Sequence, residues 1–252
     1  MTLPIALQLY TVRDETAKDF AGTLKKLADM GYEYVELAGT GGLSPAEAAK
    51  VLADLGLTPT SSHHGLMQIR DEFNAVIDQA KLMNYELVVC PSLPGDMQNT
   101  DGFKQAADVI VEANEKGKEH NITFCYHNHS FEWADVGGGK RGIDVLYDNP
   151  NLQSELDIYW VQHGGDDPLA WMKKLSGRVP LLHVKDMKDN ADRDFAEVGT
   201  GTVDTAGAVA LAEACGVMYL IIEQDRCWIN DSPMESVKIS LDNLKKIVAT
   251  AG

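Results

Sequence analysis

Apolar residues in this chain fall into short continuous runs, each followed by a longer stretch in which they recur every three or four positions. The runs are Ile5–Tyr10, Tyr34–Leu37, Leu57–Ser61, Leu87–Cys90, Ile122–Tyr126, Leu152–Asp157, Val179–Lys185 and Met218–Glu223. Runs of this length read as strands, and the spaced stretches read as amphipathic helices. Helices are expected over Thr16–Met30, from Ser44 to Gly56, over Asp71–Met83 and over Asp101–His120. A weak one follows at Ile143–Tyr147, one is capped by Asp167-Pro168, and one runs from about Asp204 to Cys215. The last opens at Ser232-Pro233-Met234-Glu235. Ser44-Pro45-Ala46-Glu47 carries the same start chemistry: an N-cap serine, a proline at the first helical position and a glutamate three residues on. Gly31, Gly56 and Gly216 supply the stops.

Strict alternation of strand and helix implies parallel strands joined by right-handed crossovers. Eight such units in 252 residues predict one α/β domain, residues 1–252, built as a closed (β/α)8 TIM barrel. The competing architecture, an open doubly wound sheet, normally carries a glycine-rich turn after its first strand. Here that turn is Thr11-Val12-Arg13-Asp14, without glycine.

Composition narrows the function classes. With 44% apolar and 24% charged residues the chain is of ordinary globular type. Its 22 basic and 38 acidic side chains leave a net charge of −16, which opposes binding to a phosphate backbone, so no nucleic-acid partner is expected. No run of 18 apolar residues predicts a membrane span, and the first residues have no basic segment of a signal peptide. Cys90, Cys125, Cys215 and Cys227 show no CxxC spacing and read as reduced thiols of a cytoplasmic protein.

In a barrel the chemistry sits at the C-terminal ends of the strands. Those ends present Gln8, Tyr10 and Arg13; Glu36; Ser61, Ser62, His63 and His64; His127, Asn128, His129 and Glu132; Glu155, Asp157 and Trp160; His183, Lys185 and Asp186; Glu223, Gln224 and Asp225. Imidazoles and carboxylates converging on one mouth suit a divalent metal. One ligand from each of four successive strands or their loops gives Glu132, Asp157, His183 and Glu223. Burying three carboxylates with no cation would be costly. Taken singly, each residue has a plainer role: a strand-end aspartate such as Asp157 is commonly a helix cap. A zinc site of His127, His129 and His183 is the other arrangement, since residues two apart share a strand face. The loops Gly137–Gly142 and Glu197–Asp204 are glycine-rich and read as phosphate cradles, plain turns or, for the second, a hairpin-like lid. Trp160 and Trp228 could stack on a sugar ring or pack under their loops. The chain has neither HExxH nor GxSxG, and Cys90 reads as a buried thiol rather than a nucleophile.

Read in order, the strand ends resemble the sugar phosphate isomerase/epimerase family of the xylose isomerase-like barrel superfamily. The stretches that carry the resemblance are Leu7–Asp14, Gly31–Glu36, Tyr126-His127-Asn128-His129-Ser130-Phe131-Glu132-Trp133, Leu156–Val161, His183-Val184-Lys185-Asp186, Glu197–Gly201 and Ile222–Asp225. The resemblance implies one divalent ion on Glu132, Asp157, His183 and Glu223, with Mn2+ favoured and Mg2+, Co2+ or Zn2+ as alternatives. Many superfamily members have a glutamate where this chain has His127, so the strand-five ligand stays open between His127 and Glu132. The implied substrate is a small carbohydrate: a ketose, an inosose or a related hydroxy-carbonyl compound. The ion would make the carbon between a carbonyl and a hydroxyl acidic, and a base would then remove its proton. Glu132, Glu223, His129, His64 and Lys185 are the candidates for catalysis. Gln8, Tyr10, His63, Trp160 and Arg13 are the candidates for binding substrate. A lyase or dehydratase expelling a β-substituent would use the same site. A phosphodiesterase of the endonuclease branch is disfavoured by charge, and a non-catalytic sugar binder would need no metal. The resemblance also implies a homodimer or homotetramer.

Overall fold

The eight apolar runs are strands, and they pair side by side, all parallel, into a closed barrel. The structure is a computed structural model that describes residues 3–227 and 229–251; Trp228 lies outside the described residues. The barrel strands are β1 (Ile5–Gln8), β2 (Tyr34–Leu37), β3 (Thr58–His63), β4 (Leu87–Cys90), β5 (Thr123–His127), β6 (Gln153–Asp157) and β7 (Leu181–Val184). Two short antiparallel strands, β8 (Asp186–Met187) and β9 (Phe195–Ala196), follow β7, and β10 (Tyr219–Ile222) completes the barrel between β7 and β1. Helices connect and surround the strands, so the (β/α)8 expectation holds and the open sheet does not.

Local chemistry accounts for the element boundaries. Expected β1 ends early because the Gln8 side chain accepts a hydrogen bond from the Tyr10 amide at 3.0 Å and turns the chain into a 3-10 segment. The helix expected over Thr16–Met30 is two, Arg13–Lys18 and Phe20–Met30. Between them Asp19 is extended (φ −153°, ψ 90°) and its carboxylate caps the second helix at the Gly22 amide. The Ser44–Glu47 start is a reciprocal capping box, and Asp167 caps the helix Pro168–Lys174.

Strand parity sorts the interior. One apolar cluster inside the barrel contains Ala6, Leu87, Val89, Cys125, Leu181 and Ile221. The larger cluster, with residues of opposite parity such as Leu7, Val35, Val88, Leu182 and Ile222, packs the outer strand faces against the helices. Counting two residues toward the C-terminal end from Ala6, Cys125, Leu181 and Ile221 reaches Gln8, His127, His183 and Glu223. The barrel therefore has an apolar floor and a polar mouth, built on the same inward-facing positions.

The four cysteines are free thiols, and Cys90, Cys125 and Cys215 are buried. Among the described residues no helix is long and apolar enough to cross a membrane.

Candidate metal and active centre

Four side chains meet at the mouth with ligand atoms within 4.8 Å of one another: His127 from β5, Asp157 from β6, His183 from β7 and Glu223 just past β10. All four are buried. Glu132, expected in this set, stands outside it. It sits on a 3-10 turn (Phe131–Trp133), where its carboxylate accepts from the Tyr126 hydroxyl at 2.8 Å and the His129 amide at 2.9 Å. Tyr126 precedes His127 by one residue and so projects from the other face of β5. That contact holds Glu132 beside the group rather than in it. Of the two alternatives for strand five, the geometry supplies His127. His129 is not in the group either; its ring is 4.8 Å from that of His127, between centroids.

Asp157 does two things at once. Its Oδ1 caps the helix Ile158–His163 at the Trp160 amide, 3.1 Å away, while Oδ2 turns toward the Lys185 ammonium at 3.0 Å. The plain reading as a cap and the ligand reading are both satisfied, one by each oxygen. Asn128 fixes the end of β6, since its side-chain oxygen accepts from the Asp157 amide and its nitrogen donates to the Asp157 carbonyl.

Lys185 is buried, and its ammonium contacts Glu223 at 2.5 Å and Asp225 at 2.9 Å as well as Asp157. Burial opposes its charge, yet these three carboxylates hold its pKa well above the usual lysine value. Burial also works against ionised Glu223, but Lys185 and His183 keep its carboxyl low. Asp157 is pushed up to about 6, chiefly by burial. Burial raises Glu132 to about 7 and lowers His129 to about 3, so that imidazole is neutral. His127 is likewise held neutral by burial and by its cationic neighbours, the form in which a histidine binds a metal.

Below the mouth lies a second convergence, Glu36, His63, Glu155 and, again, His183, of which Glu36 and Glu155 were not among the expected site residues. Glu36 accepts from Gln8 Nε2 at 2.6 Å and from the Ser61 hydroxyl at 2.5 Å. His63 lies 3.0 Å from Glu155 and 3.2 Å from Glu36. Burial disfavours its charge, but the two glutamates raise it to about 10. Gln8 and His63, expected to meet substrate, are thus tied into the barrel interior. The signal that would have found Glu155 was parity, since it stands two residues before Asp157 on the same face of β6.

The remaining candidates are dispersed. His64 has the parity opposite to His63. Its ring nitrogens lie 3.2 Å from Gln68 Oε1 and 3.1 Å from the Tyr85 hydroxyl, and burial lowers its pKa. Tyr10 is 43% exposed, with the Arg13 guanidinium 4.2 Å over its ring. Arg13, expected to bind substrate, donates to the carbonyls of Tyr10 and Asp225. Trp160 packs 5.6 Å from His129, and the Lys185 ammonium lies 5.6 Å over its ring.

The loop after β7 has its amides committed. Asp186 accepts from Met187, Gly199, Gly201 and Val203 at 2.8–3.0 Å, so an internal carboxylate fills what resembled a phosphate cradle. Gly137, Gly138 and Gly139 form a turn with positive φ between Asp135 and Arg141.

Among the described residues, six buried side-chain atoms have no hydrogen-bond partner. Besides Glu15 Oε2 they are His127 Nδ1, His129 Nδ1, Glu155 Oε1, Asp157 Oδ2 and Trp160 Nε1. Two of these are not alone, since Asp157 Oδ2 faces the Lys185 ammonium and His127 Nδ1 lies 3.0 Å from Glu155 Oε2. Buried polar groups are nearly always satisfied, so the remaining three, on His129, Glu155 and Trp160, mark a place built for a polar ligand. The donor set of two imidazoles and two carboxylates fits a divalent transition ion.

Comparison with known proteins agrees with this architecture. No curated protein matches the chain. Among solved structures, a sugar phosphate isomerase/epimerase from Parabacteroides distasonis superposes with a TM-score of 0.84 at 24% identity, covering 98% of this chain and 96% of that one. The IOLI protein with a zinc atom bound gives 0.76 at 14% identity and 99% of both chains. D-Psicose 3-epimerase from Clostridium cellulolyticum H10, solved with D-tagatose, gives 0.72 at 14% identity, covering 98% of this chain and 99% of that one. The family model of the xylose isomerase-like TIM barrel matches residues 24–247. The chain therefore belongs to the xylose isomerase-like TIM barrel family.

Proposed function

We propose that the protein is a divalent-metal-dependent isomerase or epimerase of a ketose, inosose or related hydroxy-carbonyl compound. The observation that carries this reading is the convergence of four buried groups able to ligate one ion, with the unpartnered polar atoms of His129 and Trp160 beside them. His127, Asp157, His183 and Glu223 would hold the ion. A bound ion would polarise a carbonyl and its neighbouring hydroxyl and so acidify the carbon between them. Two imidazoles in the set favour Mn2+, Co2+ or Zn2+ over Mg2+.

The protein's own groups then divide the work. Glu132, poised near neutrality and fixed by Tyr126 and His129, is the proton acceptor and returns the proton to the enediolate. Lys185 places a full positive charge beside the developing oxyanion. Neutral His129 and the indole N–H of Trp160, both without partners, bind substrate hydroxyls. The relatives named above support a carbohydrate substrate.

The test is proton NMR in deuterated buffer with Mn2+, Co2+ or Zn2+ and a panel of ketoses, inososes and 3-keto sugars. Deuterium uptake at the carbon beside the carbonyl, abolished by chelator, is the expected result. Loss of a β-substituent instead would assign a lyase. Neither exchange nor elimination, with no ion retained, would remove the enzymatic reading.

A further inference from the structure

We infer that Glu36 is a positioning residue that sets the His183 imidazole for metal binding. The inference rests on the metal reading of the mouth. His183 is wholly buried, and its two ring nitrogens face different partners. Nδ1 lies 2.9 Å from Glu223 Oε2, on the side of the proposed ion. Nε2 lies 2.8 Å from Glu36 Oε1 and 3.2 Å from Glu155 Oε2. A neutral imidazole that offers the Nδ1 lone pair to an ion carries its proton on Nε2, and that proton needs an acceptor. A carboxylate in this position fixes the tautomer and the ring orientation and strengthens the ligand.

Of the two carboxylates near Nε2, Glu36 is the one held for the task. Its Oε1 accepts from Gln8 Nε2 at 2.6 Å in addition to His183, and its Oε2 accepts from the Ser61 hydroxyl at 2.5 Å. The donors come from β1, β3 and β7, so the carboxylate is tied to both strands beside its own and reaches across the barrel to the histidine. It is wholly buried. Glu155 is less committed: its Oε2 lies within 3.0–3.2 Å of His63, His127 and His183, and its Oε1 has no partner. Glu36, His63, Glu155 and His183 could also converge on an ion of their own. The hydrogen bonds from Gln8, His183 and Ser61 argue against that, because between them they engage both Glu36 oxygens.

Cobalt titration of the full chain tests the assignment, reading the number of ions bound, the dissociation constant against a competing chelator, and the visible d–d band. The wild type is expected to bind one Co2+. Glu36→Gln should bind it about 10–100-fold more weakly, with a shifted band. Ser61→Ala, which removes one donor to Glu36 and leaves the others, should show a smaller loss of the same kind and serves if Glu36→Gln does not fold. Melting of the metal-free proteins controls for folding. Wild-type affinity and band in a folded Glu36→Gln would overturn the inference. So would two ions on the wild type and one on Glu36→Gln, which would make Glu36 itself a ligand. No ion on the wild type would overturn the metal reading of the mouth and this inference with it, an outcome distinct from failure in the variants alone.

Discussion

Asp157 shows how one side chain can be read two ways and satisfy both. Asparagine is as good an N-cap as aspartate, so Asp157→Asn should keep the cap on Ile158–His163 while losing the charge that would face an ion. Metal affinity should fall, and since Lys185 loses one carboxylate but keeps Glu223 and Asp225, the metal-free melting temperature should fall less than in Asp157→Ala. Asp157→Ala should also lose the cap, at about 1 kcal/mol, measured by urea unfolding. Glu132→Gln separates acid–base work from ligation: solvent exchange should fall about 10²–10⁴-fold with ion affinity retained. A parallel loss of ion affinity would return Glu132 to the ligand set. Asp166, away from the mouth, carries a structural load. Its Oδ2 accepts from the indoles of Trp133 and Trp171 and from Arg141 at 2.7–2.9 Å. Burial works against its charge, but these donors hold its pKa below the usual value. That stabilisation is complete above about pH 4, the ordinary aspartate value, and is lost as pH falls through the lower folded value. Asp166→Ala should therefore cost about 2 kcal/mol at pH 7, with the gap to wild type closing in acid. The residue types at the mouth were legible in the sequence; their sorting was not. His63 and His64 are adjacent and chemically identical, and only the register of β3 inside a closed barrel sends one to the interior and the other to Tyr85.

At the scale of elements, the caps and glycine stops made nearly every strand–helix unit readable. The misreadings have local causes, such as Asp19 splitting one expected helix into two. The segment after β7 was the least legible, because its shape follows from one carboxylate rather than from periodicity. Asp186 gathers four amides there, and Gly201 lies so close that a Cβ would stand 2.2 Å from the Met187 carbonyl oxygen. Asp186→Ala would leave those amides without their charged acceptor and should cost about 3 kcal/mol in urea unfolding. Gly201→Ala should also destabilise, through the clash. An Asp186→Ala protein as stable as wild type would mean that water replaces the carboxylate without loss.

For the whole molecule, the net charge of −16 sets a measurable background. Like charges repel in the folded state and salt screens them, so the melting temperature should rise between about 10 and 150 mM NaCl. A flat response would mean that local ion pairs offset the repulsion. The barrel's closure was inferred by counting eight units, since no single stretch of sequence encodes it; it depends on β10 pairing with β1. That seam joins Ile5 to Leu220, Ala6 to Ile221 and Leu7 to Ile222. A ribosome delivers these partners more than 200 residues apart. Until the second arrives, a nascent chain carries β1 with one open edge of unpaired amides and carbonyls on a mostly apolar strand, the kind of surface that recruits chaperones or other strands. Glu223 follows the seam by one residue, so the protein acquires its last proposed ligand only as it loses that exposed edge.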